Sequence, residues 1–383
     1  MREMVRLCDI CDFQGGSQPP KEEWSFEKKD DYIRMLQIRD FTQQATTVPE
    51  YIKKSKTIKT CQSDDVLIAR YGASLGKILT GLSGAYNVAI MKTIPDTTKL
   101  EKKYLFYYLT SQLFQGFILN VGSRAAQAGF NKNDLNDLLI PLPPLPEQRR
   151  IAAVLDKVSK LIALRKRQLD LLDEMVKARF VEMFGTINEN PKHYPMAMLK
   201  DICHKITDGK HGGCEQESNS GYFYVGAREI FDNSIHYETA PQITYTDFAK
   251  DYKRCNIEVG DFVIVNTGAT IGKSAIATSP LTERTLLQKS VALLKVNTEH
   301  ILSEFLRYCY IVNPSMYMVE SASAQPNLLL SKIKTTVVYT PPIKLQNQFA
   351  DFVQQVDKSK AAVQQGLDRL ILLKSALMQE YFG

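Results

Sequence analysis

The segment Asn266-Thr267-Gly268-Ala269-Thr270-Ile271-Gly272-Lys273-Ser274 has the residue types of a phosphate-binding loop. A P-loop reads G-x-x-x-x-G-K-[ST], with glycines that let backbone N–H groups cradle phosphates. Here only three residues separate Gly268 from Gly272, one too few. A second copy, Gly72-Ala73-Ser74-Leu75-Gly76-Lys77, is followed by Ile78, which has no hydroxyl to hold magnesium. No acidic strand end suited to a second nucleotide motif accompanies either copy. Each sits between two apolar runs, a pattern that predicts a strand-to-strand turn. A lysine on such a turn can still meet a phosphate as a point charge.

Other combinations carry less. Cys203-His204, His211 and Cys214 are zinc-ligand types, but their spacing matches no standard finger. Cys203 falls in the same strand phrase as Cys11, and Cys8-Asp9-Ile10-Cys11 has no second cysteine pair, so strand alternation accounts for both. Asn190-Pro191-Lys192-His193-Tyr194 and Asn313-Pro314-Ser315-Met316-Tyr317 approach the N-P-P-[YF] element of amino-methyltransferases. Both lack the second proline, and no glycine-rich cofactor fingerprint exists elsewhere, so both read as turns. No Ser/His/Asp order and no nuclease-like carboxylate set stands out. The expectation is a chain with no catalytic residues, no metal ligands and no cofactor of its own.

The totals are those of an ordinary soluble protein. The chain has 383 residues, 44% hydrophobic and 23% charged, which points to two or three globular domains. A net charge of +6 permits an anionic partner without requiring one. Apolar runs fall well short of the ~20 residues of a membrane span, and the opening MREMVRLCDICDFQGG has no apolar signal core. Seven cysteines without a small-domain framework read as reduced thiols, so a cytoplasmic setting is expected.

The elements that position these residues occur twice. Leu7-Cys8-Asp9-Ile10-Cys11 returns as Leu199-Lys200-Asp201-Ile202-Cys203, and Asp65-Val66-Leu67-Ile68 as Asp261-Phe262-Val263-Ile264. Val88-Ala89-Ile90-Met91-Lys92 is echoed by Val291-Ala292-Leu293-Leu294-Lys295. Ala126 to Gly185 aligns without a gap on Ala324 to Gly383, a shift of 198 with 16 identities in 60 positions. Ordinary composition would give about 4. This is a tandem duplication of half the chain.

Each copy has two parts. Residues 1–145 mix short β-branched runs, glycine turns and one helical stretch near Tyr104 to Leu119, an α+β body. Pro141-Leu142-Pro143-Pro144-Leu145-Pro146 stops it, and from Glu147 the pattern turns helical. Ile151, Leu155, Val158, Ile162, Leu169, Leu172 and Val176 step by threes and fours, with Arg165 and Arg179 at seam sites. The second copy gives Phe349, Val353, Val356, Val363, Leu367, Leu370 and Leu377, interrupted by Lys360 and Lys374. A helix of about 35 residues extends ~50 Å, more than a small globule can cover, so each wants a partner helix, and its repeat copy is the natural one. The expected fold class is α+β. Two repeated bodies, residues 1–145 and 186–342, are each followed by a long helix, residues 146–185 and 343–383. The helices pair as an antiparallel coiled coil. The alternative is that each helix packs on its own body.

These residues resemble the DNA-specificity subunit of type I restriction–modification systems, over essentially the whole chain. The most specific piece is Ile140-Pro141-Leu142-Pro143-Pro144-Leu145-Pro146-Glu147-Gln148-Arg149-Arg150-Ile151-Ala152, weakened in the second copy to Pro341-Pro342-Ile343-Lys344-Leu345-Gln346-Asn347-Gln348. Gly15-Gly16-Ser17-Gln18-Pro19, Thr207-Asp208-Gly209-Lys210-His211, the glycine-lysine turns and the Ala-Gln positions also match. The resemblance implies two target-recognition domains reading the halves of a split, asymmetric double-stranded DNA target. It implies two docked copies of an adenine methyltransferase that uses S-adenosylmethionine, and motor-nuclease subunits that use ATP. Leu345, where Glu147 stands in the first copy, puts the equality of the two docking sites in question.

Phosphates call for Lys and Arg, and base edges for Arg, Gln or Asn. The DNA-binding candidates are Arg70, Lys77, Arg124, Gln127 and Lys132 in the first body, and Lys210, His211, Arg228, Lys273 and Gln325 in the second. The glycine-lysine turns and Thr207 to His211 rank highest. Two other classes remain open: a self-contained methyltransferase or nuclease, which cofactor binding by the isolated chain would reveal, and a two-headed coiled-coil protein adaptor, which a DNA-binding assay would separate.

Overall fold

The computed structural model describes residues 3–43, 45–122, 129–317 and 327–383. The chain divides into two compact units. One comprises Met1–Lys166 with Gln365–Gly383, the other Arg167–Gln364. Arg124, Gln127 and Gln325 lie outside the described residues.

In the first unit, a four-stranded antiparallel sheet has the order Cys11–Gly15, Ile90–Pro95, Leu67–Ala69, Ile78–Leu79. Leu67, Ile68 and Ala69 are all fully buried, as a continuous apolar run in an inner strand should be. A five-stranded mixed sheet, including Tyr32–Leu36 and Gly84–Tyr86, completes the body. The helical stretch expected near Tyr104 is two helices, Lys102–Thr110 and Gln112–Gly122. Met4–Arg6 pairs with Leu139–Pro141, holding the chain start against the segment that leads into the first long helix.

The second unit repeats this frame. Its sheet runs Cys203–Asp208, Val291–Val296, Phe262–Val265, Ser274–Ile276. Met196–Met198 pairs with Val337–Tyr339 as Met4–Arg6 does with Leu139–Pro141. Its own additions are a parallel pair, Phe223–Val225 with Thr285–Leu287, a hairpin at Ile230–Phe231 and Ser234–Ile235, and the helix Tyr245–Cys255.

The long helices are Leu145–Phe184 and Ile343–Phe382, 40 residues each. The first starts slightly before the expected residue 146, and the second starts at the expected residue 343. Pro146 fits inside the first turn because N–H groups there have no intrahelical partner. In the first unit, Ile151, Ala152 and Leu155 from the beginning of one helix share a core with Tyr381 and Phe382 from the end of the other. In the second unit, Val176, Phe180 and Phe184 from the end of the first helix share a core with Phe349, Val353 and Val356 from the beginning of the second. Within each unit the two helices are therefore antiparallel, and both also pack on the body. The two expected alternatives, helix pairing and packing on a body, are combined.

Equivalent aromatics lock both arrangements. Phe382 lies 5.1 Å from Tyr104, and Phe184 lies 4.9 Å from Phe305, the residue matching Tyr104. The charged seam residues find specific partners. Lys360 bonds Asp173 at 2.6 Å, Arg179 bonds Glu182 at 2.8 Å, and the Lys374 ammonium sits 5.9 Å from the Tyr107 ring centre.

Candidate nucleic-acid interface

The glycine-lysine segments are hairpin turns with the same hydrogen bonds in both units. In the first, Ala69 N–H donates to Lys77 O at 2.9 Å, Gly76 N–H to Ala69 O at 2.9 Å, and Lys77 N–H to Ser74 O at 3.0 Å. In the second, Val265 N–H donates to Lys273 O at 2.8 Å, Gly272 N–H to Val265 O at 3.0 Å, and Lys273 N–H to Thr270 O at 3.1 Å. Gly76 and Gly272 have φ of +78° and +89°, which explains glycine there. A strand follows each turn, whereas a P-loop leads into a helix. Lys77 and Lys273 are exposed, and their side chains pair with no described residue.

Thr207 to His211 has a different place. Gly209 N–H donates to Val291 O at 3.2 Å, and Lys210 N–H to Leu287 O at 2.7 Å. Gly16 and Ser17 do the same in the first unit, to Ile90 O at 3.1 Å and Tyr86 O at 3.0 Å. These glycines are backbone-packing positions. Lys210 is drawn inward onto Asp251 at 2.8 Å and Asp247 at 3.8 Å, with 13% of its side chain exposed. His211 meets Asp208 at 3.0 Å, and Asp208 also pairs with Arg254. Burial pushes the Asp208 carboxyl up, but Arg254 and His211 outweigh it and hold it below its usual value. The partners Asp247, Asp251 and Arg254 come from the helix Tyr245–Cys255 and leave no short-range signal in the sequence.

Of the remaining candidates, Lys132 is exposed but paired with Asp12. Arg228 is exposed, and its side chain pairs with no described residue. Arg70 follows the strand Leu67–Ala69. Its Nε–H donates to Phe130 O at 3.1 Å, and its guanidinium lies 5.0 Å from the Tyr71 ring centre. Gly15 leaves room for it, since a Cβ there would stand 3.2 Å from the guanidinium.

Arg70 and Tyr71 open onto a cleft also lined by Asn131 and Asn133, and a cleft at the same point of the second unit includes His211, Thr267, Lys289 and Asn327. The sequence reading did not select Tyr71, Asn131, Asn133, Thr267, Lys289 or Asn327. The only signal was their nearness to the glycine-lysine turns and the Ala-Gln positions.

Among the described residues, no three His, Cys, Asp or Glu side chains gather as a metal site. Cys203 begins a strand, and burial pushes its thiol up to about 12.

Gln148 and Gln346, the shared residue of the proline-glutamine elements, are fully buried clamps. Gln148 accepts from Glu101 N–H at 2.9 Å and donates to Lys99 O and Pro143 O, both at 2.8 Å. Gln346 accepts from Leu302 N–H at 2.9 Å and donates to His300 O at 3.0 Å and Pro341 O at 2.8 Å. Each fixes the start of a long helix to the loop before the body's own helix.

A second matched pair differs in its electrostatics. Asp65 meets Lys92 at 2.6 Å and Lys102 at 2.9 Å. Burial opposes its charge, but the Gln62 N–H and the two ammonium groups win and hold the carboxyl at about 2. Asp261 has one lysine, Lys295 at 2.7 Å, and there burial wins and pushes the carboxyl up. The folded value of Asp65 lies below the unfolded value of about 4, so its contribution is present above that pH and is lost as pH falls toward about 2. Roughly 2 kcal/mol of first-unit stability is expected to disappear across that window. Denaturant midpoints measured from pH 5 to 2 should fall less steeply in Asp65→Asn than in the parent chain, by about that amount.

Comparison with known proteins agrees with this duplicated frame. The family model for the type I restriction modification DNA specificity domain matches residues 2–174 and again 191–371. The specificity subunit of the type I restriction enzyme MjaVIII from Methanocaldococcus jannaschii is 22% identical, over 93% of this chain and 86% of its own length. The EcoBI specificity subunit of Escherichia coli is 21% identical, over 93% and 81%. Among solved structures, the S subunit of a type I system from M. genitalium covers 100% of this chain and 96% of its own, with TM-score 0.56 and 16% identity. A chain from a study of type I R-M complex assembly and conformational transition covers 99% and 97%, with TM-score 0.61 and 18% identity. Two successive matches to one domain model, spanning nearly the whole sequence, place the chain in the type I restriction–modification DNA specificity family.

Proposed function

We propose that this chain reads a bipartite, asymmetric double-stranded DNA target and supplies no chemistry itself. Each body reads one half-site. The long helices dock two copies of an adenine methyltransferase subunit, and through them motor-nuclease subunits. S-adenosylmethionine and ATP belong to those partners. The observation that carries this reading is the pair of matched turns, each holding an exposed lysine that pairs with no described residue, at the same point of a duplicated body, in a chain of this family. Two bodies that share a frame but differ in side chains suit two half-sites of different sequence. Among the described residues, no helix is long and apolar enough to cross a membrane. A cytoplasmic setting, beside the DNA, completes the proposal.

Lys77 and Lys273 are assigned to backbone phosphates. Each phosphate contact adds about 0.9 to the slope of log affinity against log salt concentration. Lys77→Ala and Lys273→Ala are each expected to reduce the slope by about one, and together by about two. Lys210→Ala, which removes an internal ion pair, is expected to leave it unchanged. Titrating the assembled complex on target duplex between 50 and 200 mM salt, about the range where such slopes are steep, reads all three. An unchanged slope in the double variant would remove the turns from the DNA interface.

A further inference from the structure

The two clefts differ in the way that readers of two different half-sites require. Their frames match. Tyr71 is bridged to Gly129 in the first unit, and Thr267 to Asn327 in the second, each joining the second residue after the buried strand to the opposite wall. Phe130 and Leu328 are the buried apolar residues beside these bridges, 3% and 0% exposed. The turn, the glutamine clamp and the aromatic locks are likewise kept between the units. The polar lining is not kept. Arg70 is matched by Asn266, and Tyr71 by Thr267.

Charge argues that the first cleft faces bases and not phosphates. Asp134 and Asp137 line it with Arg70, Asn131 and Asn133. A carboxylate repels a phosphate, whereas adenine and cytosine present amino donors that carboxylates and amides accept. Arg70 is already aimed. The Phe130 carbonyl holds Nε, the Tyr71 ring lies beside the guanidinium, and among the described residues the terminal nitrogens have one long bond, 3.4 Å to Val88 O. A guanidinium fixed at its base, with terminal N–H groups that the described residues leave largely unused, suits the O6 and N7 acceptors of guanine. The second cleft has no arginine among its described lining residues. It has the exposed Lys289 and Asn327, the latter accepting at Oδ1 from the Thr267 hydroxyl at 3.4 Å.

We propose that these matched clefts are the base-reading points of the two bodies: Arg70 reads a guanine in one half-site, assisted by Asn133, and Asn327 with Lys289 reads the other half-site. This rests on the DNA-reading proposal above and deepens it to named residues.

The test uses the full chain assembled with its cognate modification subunit in cells, read by base-resolution methylation mapping. Arg70→Ala is expected to relax preference for one guanine by about tenfold to a hundredfold while the other half-site stays unchanged. Asn327→Ala combined with Lys289→Ala is expected to relax only that other half. If Arg70→Ala lowers the yield of folded chain, Asn133→Ala carries the same test. Asn133 is exposed, and its bonds to described residues come from its backbone, the N–H donating to Asn131 Oδ1 and the carbonyl accepting from Asn136 N–H, so loss of its side chain is structurally mild. A parent chain that yields a motif, with variants that keep it unrelaxed or weaken all sites equally, overturns the cleft assignment alone. A parent chain that yields no motif at all overturns the DNA-reading proposal beneath it.

Discussion

Phe180→Ala lowers the stability of the second unit by about 3–5 kcal/mol, the cost of removing a large buried aromatic whose surroundings cannot collapse. Phe180 is fully buried near the end of the first long helix. Its ring lies 5.1 Å from Phe184, 5.2 Å from Phe349 and 5.4 Å from Phe305, so one side chain joins both long helices to the body. Alanine leaves three aromatic walls facing a void. Because the chain has two units, a single melting temperature would blur the effect. Hydrogen exchange resolved by peptide is the suitable measurement. Protection across residues 167–364 should fall by roughly two to four orders of magnitude, the factor those energies imply, while the first unit keeps its protection. Phe26→Ala, at a residue 70% exposed, is the matched control and should change neither unit.

Gly209→Ala and Gly16→Ala are expected to cost about 3 kcal/mol each, the upper end of overpacking, because the obstructing atoms are backbone. A Cβ at Gly209 would lie 2.2 Å from Leu287 O and 2.3 Å from Gln288 O, and one at Gly16 would lie 2.1 Å from Asn87 O and 2.4 Å from Tyr86 O. Neither clash is relieved by a rotamer change, since the carbonyls belong to the segments these glycines bond. Gly116→Ala gives the opposite sign. It is an exposed position in the interior of the helix Gln112–Gly122, with nothing near the added methyl, and should stabilise by about 1 kcal/mol. Urea titrations of the three variants check the ordering. A neutral Gly209→Ala would contradict the packing role assigned to the Thr207 to His211 segment.

Particular residues show where the sequence could be read and where it could not. The duplication, the heptad steps and the strand-turn-strand pattern are local or periodic signals. The buried Phe262–Val265 strand, its turn and the two long helices follow from them. What Lys210 does is not local. Its charge is taken up by Asp247 and Asp251, more than thirty residues onward, so a loop that looks outward in sequence holds its cation inward. Gln148 is similar: in sequence it belongs to a surface-like proline-glutamine phrase, yet it is buried by hydrogen bonds to Lys99 and Glu101. The sharing of each core by both helices was also illegible, because a heptad stripe specifies an apolar face without naming what covers it. The clefts required the bridges Tyr71–Gly129 and Thr267–Asn327, long-range pairings that no period announces.

The central claim is that this chain gives a methyltransferase its DNA sequence preference. The most direct measurement is a base-resolution methylation map of cells expressing the chain with its cognate modification subunit, compared with cells expressing that subunit alone. The account predicts a split, asymmetric adenine-methylated motif that appears only when the chain is present. A folded, assembled complex that leaves no such motif would contradict it and favour a protein adaptor built on the same two-unit frame.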